Sequence, residues 1–109
     1  MHPALTQNSE RIAELCRRFG VARLEAFGSA VTGEFRPGQS DFDFLVELDP
    51  AAPGSRAMRL IDLAEALESL LGTHVDLVNP RYIRNPYFAA EVEQTRRPLY
   101  DRQASQAAA

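Results

Sequence analysis

Apolar positions recur along the chain with two different periods, and the changes of period divide it into elements. Leu5, Ile12, Leu15, Cys16 and Phe19 stand at mostly helical spacing and stop at Gly20, which suits a helix C-cap, so the first segment reads as one helix. Arg23 to Phe27 alternates, with Leu24 and Ala26 opposite Glu25 and Phe27, and predicts a strand ending at Gly28-Ser29. A second strand runs from Phe42 to Leu48. Phe42, Phe44, Val46 and Leu48 face one way there, and Asp41, Asp43, Leu45 and Glu47 face the other. Turn residues concentrate at Gly33, Pro37, Gly38 and Ser40, and again between Asp49 and Ser55; both loops are expected beside the acidic face. Ser55 can cap a helix carrying Met58, Ile61, Ala64, Leu67, Leu70 and Leu71 and ending at Gly72, after which His74 to Val78 returns as a strand. A shorter helix around Tyr87 to Arg96 and an extended piece at Leu99-Tyr100 follow. The order strand, strand, helix, strand predicts a single α/β (α+β) domain over residues 1–102, a small mixed twisted sheet with helices on one face. The low-complexity stretch 103–109 is expected to be a disordered tail.

The acidic face carries the candidate chemistry. Side chains two apart on a strand project from the same face, about 7 Å apart along the backbone, so Asp41 and Asp43 can converge on one cation. Upstream, Gly28 lets the backbone approach a ligand closely and Ser29 adds a hydroxyl donor. If Ala30 opens a short helix, its free N–H groups can hold a phosphate. Asp76 alternates with the core-like Val75 and Leu77, and it joins the other two acids if its strand lies beside the second. The plainer alternative is a solvated edge strand next to an ordinary turn. An Asp-x-Asp pair alone does not decide between them; its conjunction with Gly-Ser after a strand and a third Asp on a later strand singles out a nucleotide site.

Other polar and aromatic residues take the plainer reading. His74 reads as a partly exposed strand histidine, and His2 lies in a terminus expected to fray. Arg81, Arg84, Arg96 and Arg97 read as a solvated face, and Tyr82, Tyr87 and Tyr100 as packed edge residues. Phe42 and Phe44 turn away from the acids into the core, where the lone Cys16 also falls. A formal charge of −3 provides no basic field for duplex DNA or RNA. No signal-peptide pattern is present and no apolar run approaches the roughly 18 residues that span a bilayer, so a cytoplasmic setting without membrane contact is expected.

The residues Phe27-Gly28-Ser29-Ala30-Val31-Thr32-Gly33-Glu34, Arg36-Pro37 and Ser40-Asp41-Phe42-Asp43-Phe44-Leu45-Val46 resemble the signature of the minimal nucleotidyltransferases of the DNA polymerase β superfamily. The resemblance continues through His74-Val75-Asp76-Leu77-Val78, Ile83-Arg84-Asn85-Pro86-Tyr87-Phe88 and Pro98-Leu99-Tyr100, and so covers most of the chain. It implies the nucleotidyltransferase fold, with Asp41, Asp43 and Asp76 as catalytic and metal-binding residues, Gly28 and Ser29 as nucleotide-binding residues, and Mg²⁺ and ATP as cofactor and substrate. Many such proteins are antitoxins of helical HEPN-type ribonuclease toxins, which implies transfer of AMP from ATP to a toxin tyrosine. A binding module that blocks the toxin sterically, or a subunit serving a separate substrate-binding chain, are the alternatives. Two departures bear on activity: the spacer from Ala30 to Ser40 holds eleven residues against a usual ten or so, and Ala30 and Thr32 stand where arginines are often found. Pro37-Gly38 is where the extra residue is expected to be absorbed.

Overall fold

The computed structural model describes residues 1–104. Four strands, β1 (Val21–Phe27), β2 (Phe42–Leu48), β3 (Val75–Val78) and β4 (Arg97–Asp101), form one mixed sheet in the order β3-β2-β1-β4. β1 is antiparallel to both β2 and β4, while β3 lies parallel to β2 at the sheet edge, with Asp76 in register with Asp43. A parallel pair needs a crossover, which α4 (Arg56–Leu71) supplies. Local chemistry sets its bounds: Ser55 Oγ accepts from the Met58 N–H at 3.1 Å, and Gly72 closes it in the left-handed conformation at φ 73°.

The core face of α4 is carried by Leu63 and Leu67, flanked by Leu60, Leu70 and Leu71. Met58 and Ile61, expected on the apolar stripe, instead point outward at 54% and 50% exposure. The helix is apolar over much of its circumference, so period alone leaves its rotation open. Arg59 is buried on the inner face and donates to the carbonyls of Gly20 (3.0 Å) and Asp49 (3.2 Å). That tether holds the Asp49–Ser55 loop against Gly20, at the opposite end of β2 from Asp41; the expectation that this loop borders the acids is corrected.

The N-terminal segment is two helices rather than one, α1 (Pro3–Gln7) and α2 (Ser9–Arg18). The break falls at Asn8, whose backbone leaves the helical region at φ −105°, ψ 17° and whose side-chain amide joins its own N–H in donating to the Ala4 carbonyl, at 2.8 Å and 3.2 Å. His2, expected to fray, caps α1 by accepting the Ala4 N–H at 3.0 Å, and its ring meets Phe35 and Phe42 edge-on. Leu5, Ile12, Cys16, Leu24, Ala26, Phe42, Phe44, Leu63 and Leu67 make the main core between these helices and one sheet face. Burial pushes the Cys16 thiol up to about 12, against the weaker pull of Arg17, so it stays protonated and inert.

A second, smaller layer covers the other face. After a 3₁₀ turn at Pro80–Tyr82 comes α5 (Pro86–Thr95), whose Phe88 and Val92 pack on Phe27 and Leu45. Helices thus lie on both sides of the sheet, not on one. Under the end of α5, Glu25 is 2% exposed and paired with Arg23 and Arg96, each Nε 2.6 Å from a carboxylate oxygen. Burial disfavours the ionised carboxyl, but the bonds and charge of Arg96 and then Arg23 outweigh it and hold Glu25 below its ordinary range. The expected tail lies outside the described residues from 105 onward. Among the described residues no helix is long and apolar enough to cross a membrane.

Candidate nucleotide and metal site

β1 runs out at Gly28, which turns at φ 76° into the four-residue helix α3 (Ser29–Thr32). Two constraints call for glycine here. The positive φ disfavours any side chain, and a Cβ would lie 3.1 Å from Asp43 Oδ2. The turn is held from across the sheet, where the Gly28 N–H donates to Thr95 Oγ1 at 3.0 Å. Ala30 is buried in the core, so position 30 has no room for an outward guanidinium, while Thr32 is exposed. The spacer contains an exposed turn at Pro37-Gly38, closed by the Ser40 N–H on the Arg36 carbonyl at 2.8 Å with Gly38 at φ 82°.

Gly28, Ser29, Asp43 and Asp76 line one side of a cavity of about 500 Å³, and Phe88 and Glu91 of α5 line the other. Its size falls within the range of small-molecule sites. Asp41 sits just before β2, at the rim, where its carboxylate, the His74 ring and the Asp76 carboxylate each offer a ligand atom within 4.8 Å of the others. Asp76 belongs to both groups, so the three aspartates read from the sequence lie around one site, Asp43 in the cavity lining and Asp41 in the cluster with His74. Among the described residues no arginine forms an ion pair with any of them.

The negative charge has a measurable consequence. Burial, followed by the charges of Asp76, Asp41 and Glu91, pushes the Asp43 carboxyl from its ordinary 3.8 up to about 6, against a smaller opposing pull from His74. A raised carboxyl binds its proton more tightly folded than unfolded, so this group costs stability as pH rises from 3.8 to 6. A bound cation reverses that cost. In the ion-free protein the Asp43 carboxyl ¹³C resonance is expected to titrate near pH 6, and a saturating divalent ion to move the midpoint down by more than a unit. An unchanged midpoint would count against cation binding here.

His74, which the plain sequence reading set aside, and Glu91, which it did not single out, stand at the site. His74 Nε2 lies 3.1 Å from Asp76 Oδ1 and its Nδ1 2.8 Å from Glu68 Oε2. Desolvation opposes the charged ring, but the Asp76 bond and the charges of Asp41, Asp76 and Glu68 raise it above its ordinary value. Glu91 enters because α5 covers the acidic face, a placement hinted at by apolar Phe27 and Leu45 on that face. The four arginines contribute no lining: Arg96 is committed to Glu25, and Arg81, Arg84 and Arg97 are exposed. Tyr100 is buried as expected, whereas Tyr82 and Tyr87, expected to pack, are 68% and 85% exposed.

Residues 9–99 match the sequence pattern of the nucleotidyltransferase domain family. The chain belongs to that family. The chain is 45% identical over 65 residues to the protein adenylyltransferase MntA of Thermococcus cleftensis; the match spans 60% of the chain and 62%, under two thirds, of that relative. It is 35% identical over 77 residues to a Methanocaldococcus jannaschii protein described as a candidate protein adenylyltransferase, covering 71% of the chain and 75% of the relative. Among solved structures, the chain resembles one described as a candidate minimal nucleotidyltransferase, with a TM-score of 0.70, 33% identity and coverage of 90% and 96% of the two chains. It also resembles a chain of a toxin–antitoxin crystal structure with AMP-PNP, with a TM-score of 0.64, 26% identity and coverage of 90% and 77%.

Proposed function

We propose that this chain is a Mg²⁺-dependent nucleotidyltransferase antitoxin that moves AMP from ATP onto a tyrosine hydroxyl of a helical HEPN-type toxin in the cytoplasm. The observation that carries the reading is the parallel register of Asp43 with Asp76 beside the Gly28 turn, in a cavity whose acids lack arginine partners. The protein adenylyltransferase name of the Thermococcus relative and the likeness to a toxin–antitoxin structure support the acceptor class.

The donor set fits a divalent cation: Asp41 and Asp76 offer carboxylate oxygens beside the His74 ring, and Asp43, in register with Asp76, adds a third carboxylate to the cavity. Asp41 and Asp43 would hold the ion on the triphosphate and Asp76 would complete a second position. Bound there, such ions offset the charge that builds on departing pyrophosphate. The chain's own residues do the rest. Gly28 admits the triphosphate close to the backbone, and Ser29 Oγ can donate to a phosphate oxygen. Phe27 and Phe88, 5.8 Å apart edge to face, close the apolar side against water. As the tyrosine oxygen bonds to the α-phosphorus and the bond to the β-phosphate oxygen breaks, Asp76 takes the hydroxyl proton.

A second reading, a steric blocker without transfer activity, is favoured by the absence of arginine from the cavity lining. Calorimetry is expected to detect ATP binding with Mg²⁺ and at least tenfold weaker binding without it, since acids and triphosphate repel one another. Equal affinity in both conditions would overturn the metal role. Co-expression with a helical HEPN-type toxin, followed by α-labelled ATP, is expected to place label on a partner tyrosine. Growth rescue with no label transferred would leave the steric reading standing.

A further inference from the structure

We propose that His74, itself held by Glu68, is a positioning residue that fixes the carboxylate of Asp76. The inference rests on the reading of Asp76 as the group that takes the acceptor's proton. β3 is the edge of the sheet, so Asp76 has a neighbouring strand on one side only. Its side chain is 51% exposed. An exposed aspartate of this kind would populate several rotamers, and a misplaced base loses rate out of proportion to the displacement.

Three contacts in series remove that freedom. Glu68, at the last turn of α4, accepts the Val75 N–H through Oε2 at 3.0 Å. The same oxygen meets His74 Nδ1 at 2.8 Å, which sets the plane of the imidazole. The opposite ring nitrogen, Nε2, then meets Asp76 Oδ1 at 3.1 Å. His74 and Asp76 stand two apart at one edge, so the ring reaches its neighbour without crossing the strand. With Oδ1 engaged, Oδ2 is left for the acceptor proton or a cation. Outer groups that orient a ligand or base in this way are worth about 10- to 100-fold.

The test measures AMP transfer from α-labelled ATP–Mg²⁺ to the co-expressed helical partner. His74→Ala is expected to lower kcat about tenfold with the KM for ATP unchanged, because the nucleotide side of the cavity is untouched. His74→Gln, whose amide nitrogen can stand near the Nε2 position, is expected to recover most of the loss. Glu68→Ala should lower kcat to a similar extent, and the double variant no further than the singles, as for groups that act in one chain. Wild-type kcat in His74→Ala, or a rise in the KM for ATP as the main effect, would overturn the proposal. Crystal structures of wild type and His74→Ala with Mg²⁺ and AMP-PNP give a readout that does not depend on turnover. The Asp76 carboxylate should rotate or spread in the variant, and an unmoved carboxylate overturns the proposal even if no transfer is seen. Full transfer by Asp76→Asn would instead overturn the underlying reading of Asp76.

Discussion

Asp41→Asn combined with Asp43→Asn is expected to lower AMP transfer by about a thousandfold or more while the protein melts no lower than wild type. Losing one preorganised electrostatic group from a site already costs about 10²- to 10³-fold, and here two anionic ligands go together. The fold is spared because both side chains are only partly buried and neither belongs to the main core. Ionisation of Asp43 is also disfavoured in the folded state, where burial and the charges of Asp76 and Asp41 push its carboxyl up. Asparagine keeps the shape and removes the repulsion. Label transfer and a thermal melt at neutral pH measure both halves of the expectation, and a large drop in melting temperature would mean that the acids are structural.

Arg96→Ala is expected to have the largest effect on stability, about 3 kcal/mol, because it leaves a buried carboxylate without its main partner. Arg23 remains, but it is 47% exposed and holds Glu25 from the solvent side. The pH dependence has a definite sign. Glu25 is held below its ordinary 4.5 in the folded protein, so the stability it contributes is present above pH 4.5 and is lost as pH falls through the folded value. The gap in urea midpoint between wild type and Arg96→Ala should be widest near neutrality and close in acid. A gap that persists unchanged in acid would show that Arg96 acts by packing rather than by charge.

Much of this architecture is legible without coordinates because its determinants are local. Ser55 and Gly72 mark the ends of α4 by cap chemistry alone, and the alternation of Phe42, Phe44 and Val46 marks β2. Asp41, Asp43 and the Gly28-Ser29 turn were legible for the same reason, since short spacings carry them. Asp76 needed more, because its place beside Asp43 depends on a parallel pairing between strands that are distant in the chain. What stayed hidden depended on partners far away or on small energy differences. Glu25 reads as an ordinary strand acid until Arg96, 71 residues later, covers it. Asn8 carries no mark that a helix breaks there, and the rotation of α4 that exposes Met58 and Ile61 is a choice among nearly equivalent apolar faces. The role of α5 was half visible, for Phe27 and Leu45 are misplaced on a face meant only for acids and metal.

The bond from Gly28 to Thr95 ties the completion of this site to the timing of synthesis. A ribosome that has just released β2 has already delivered Gly28, Ser29, Asp41 and Asp43, yet the residues that anchor and wall that turn are still unmade. Asp76 arrives with β3, Glu91 and Thr95 with α5, and β1 gains its second neighbour only with β4, which begins at Arg97 opposite Ala26. Because domains mature as units while chains emerge at a few to some twenty residues per second, a nascent chain stopped before residue 95 would carry most of the acids without a finished pocket.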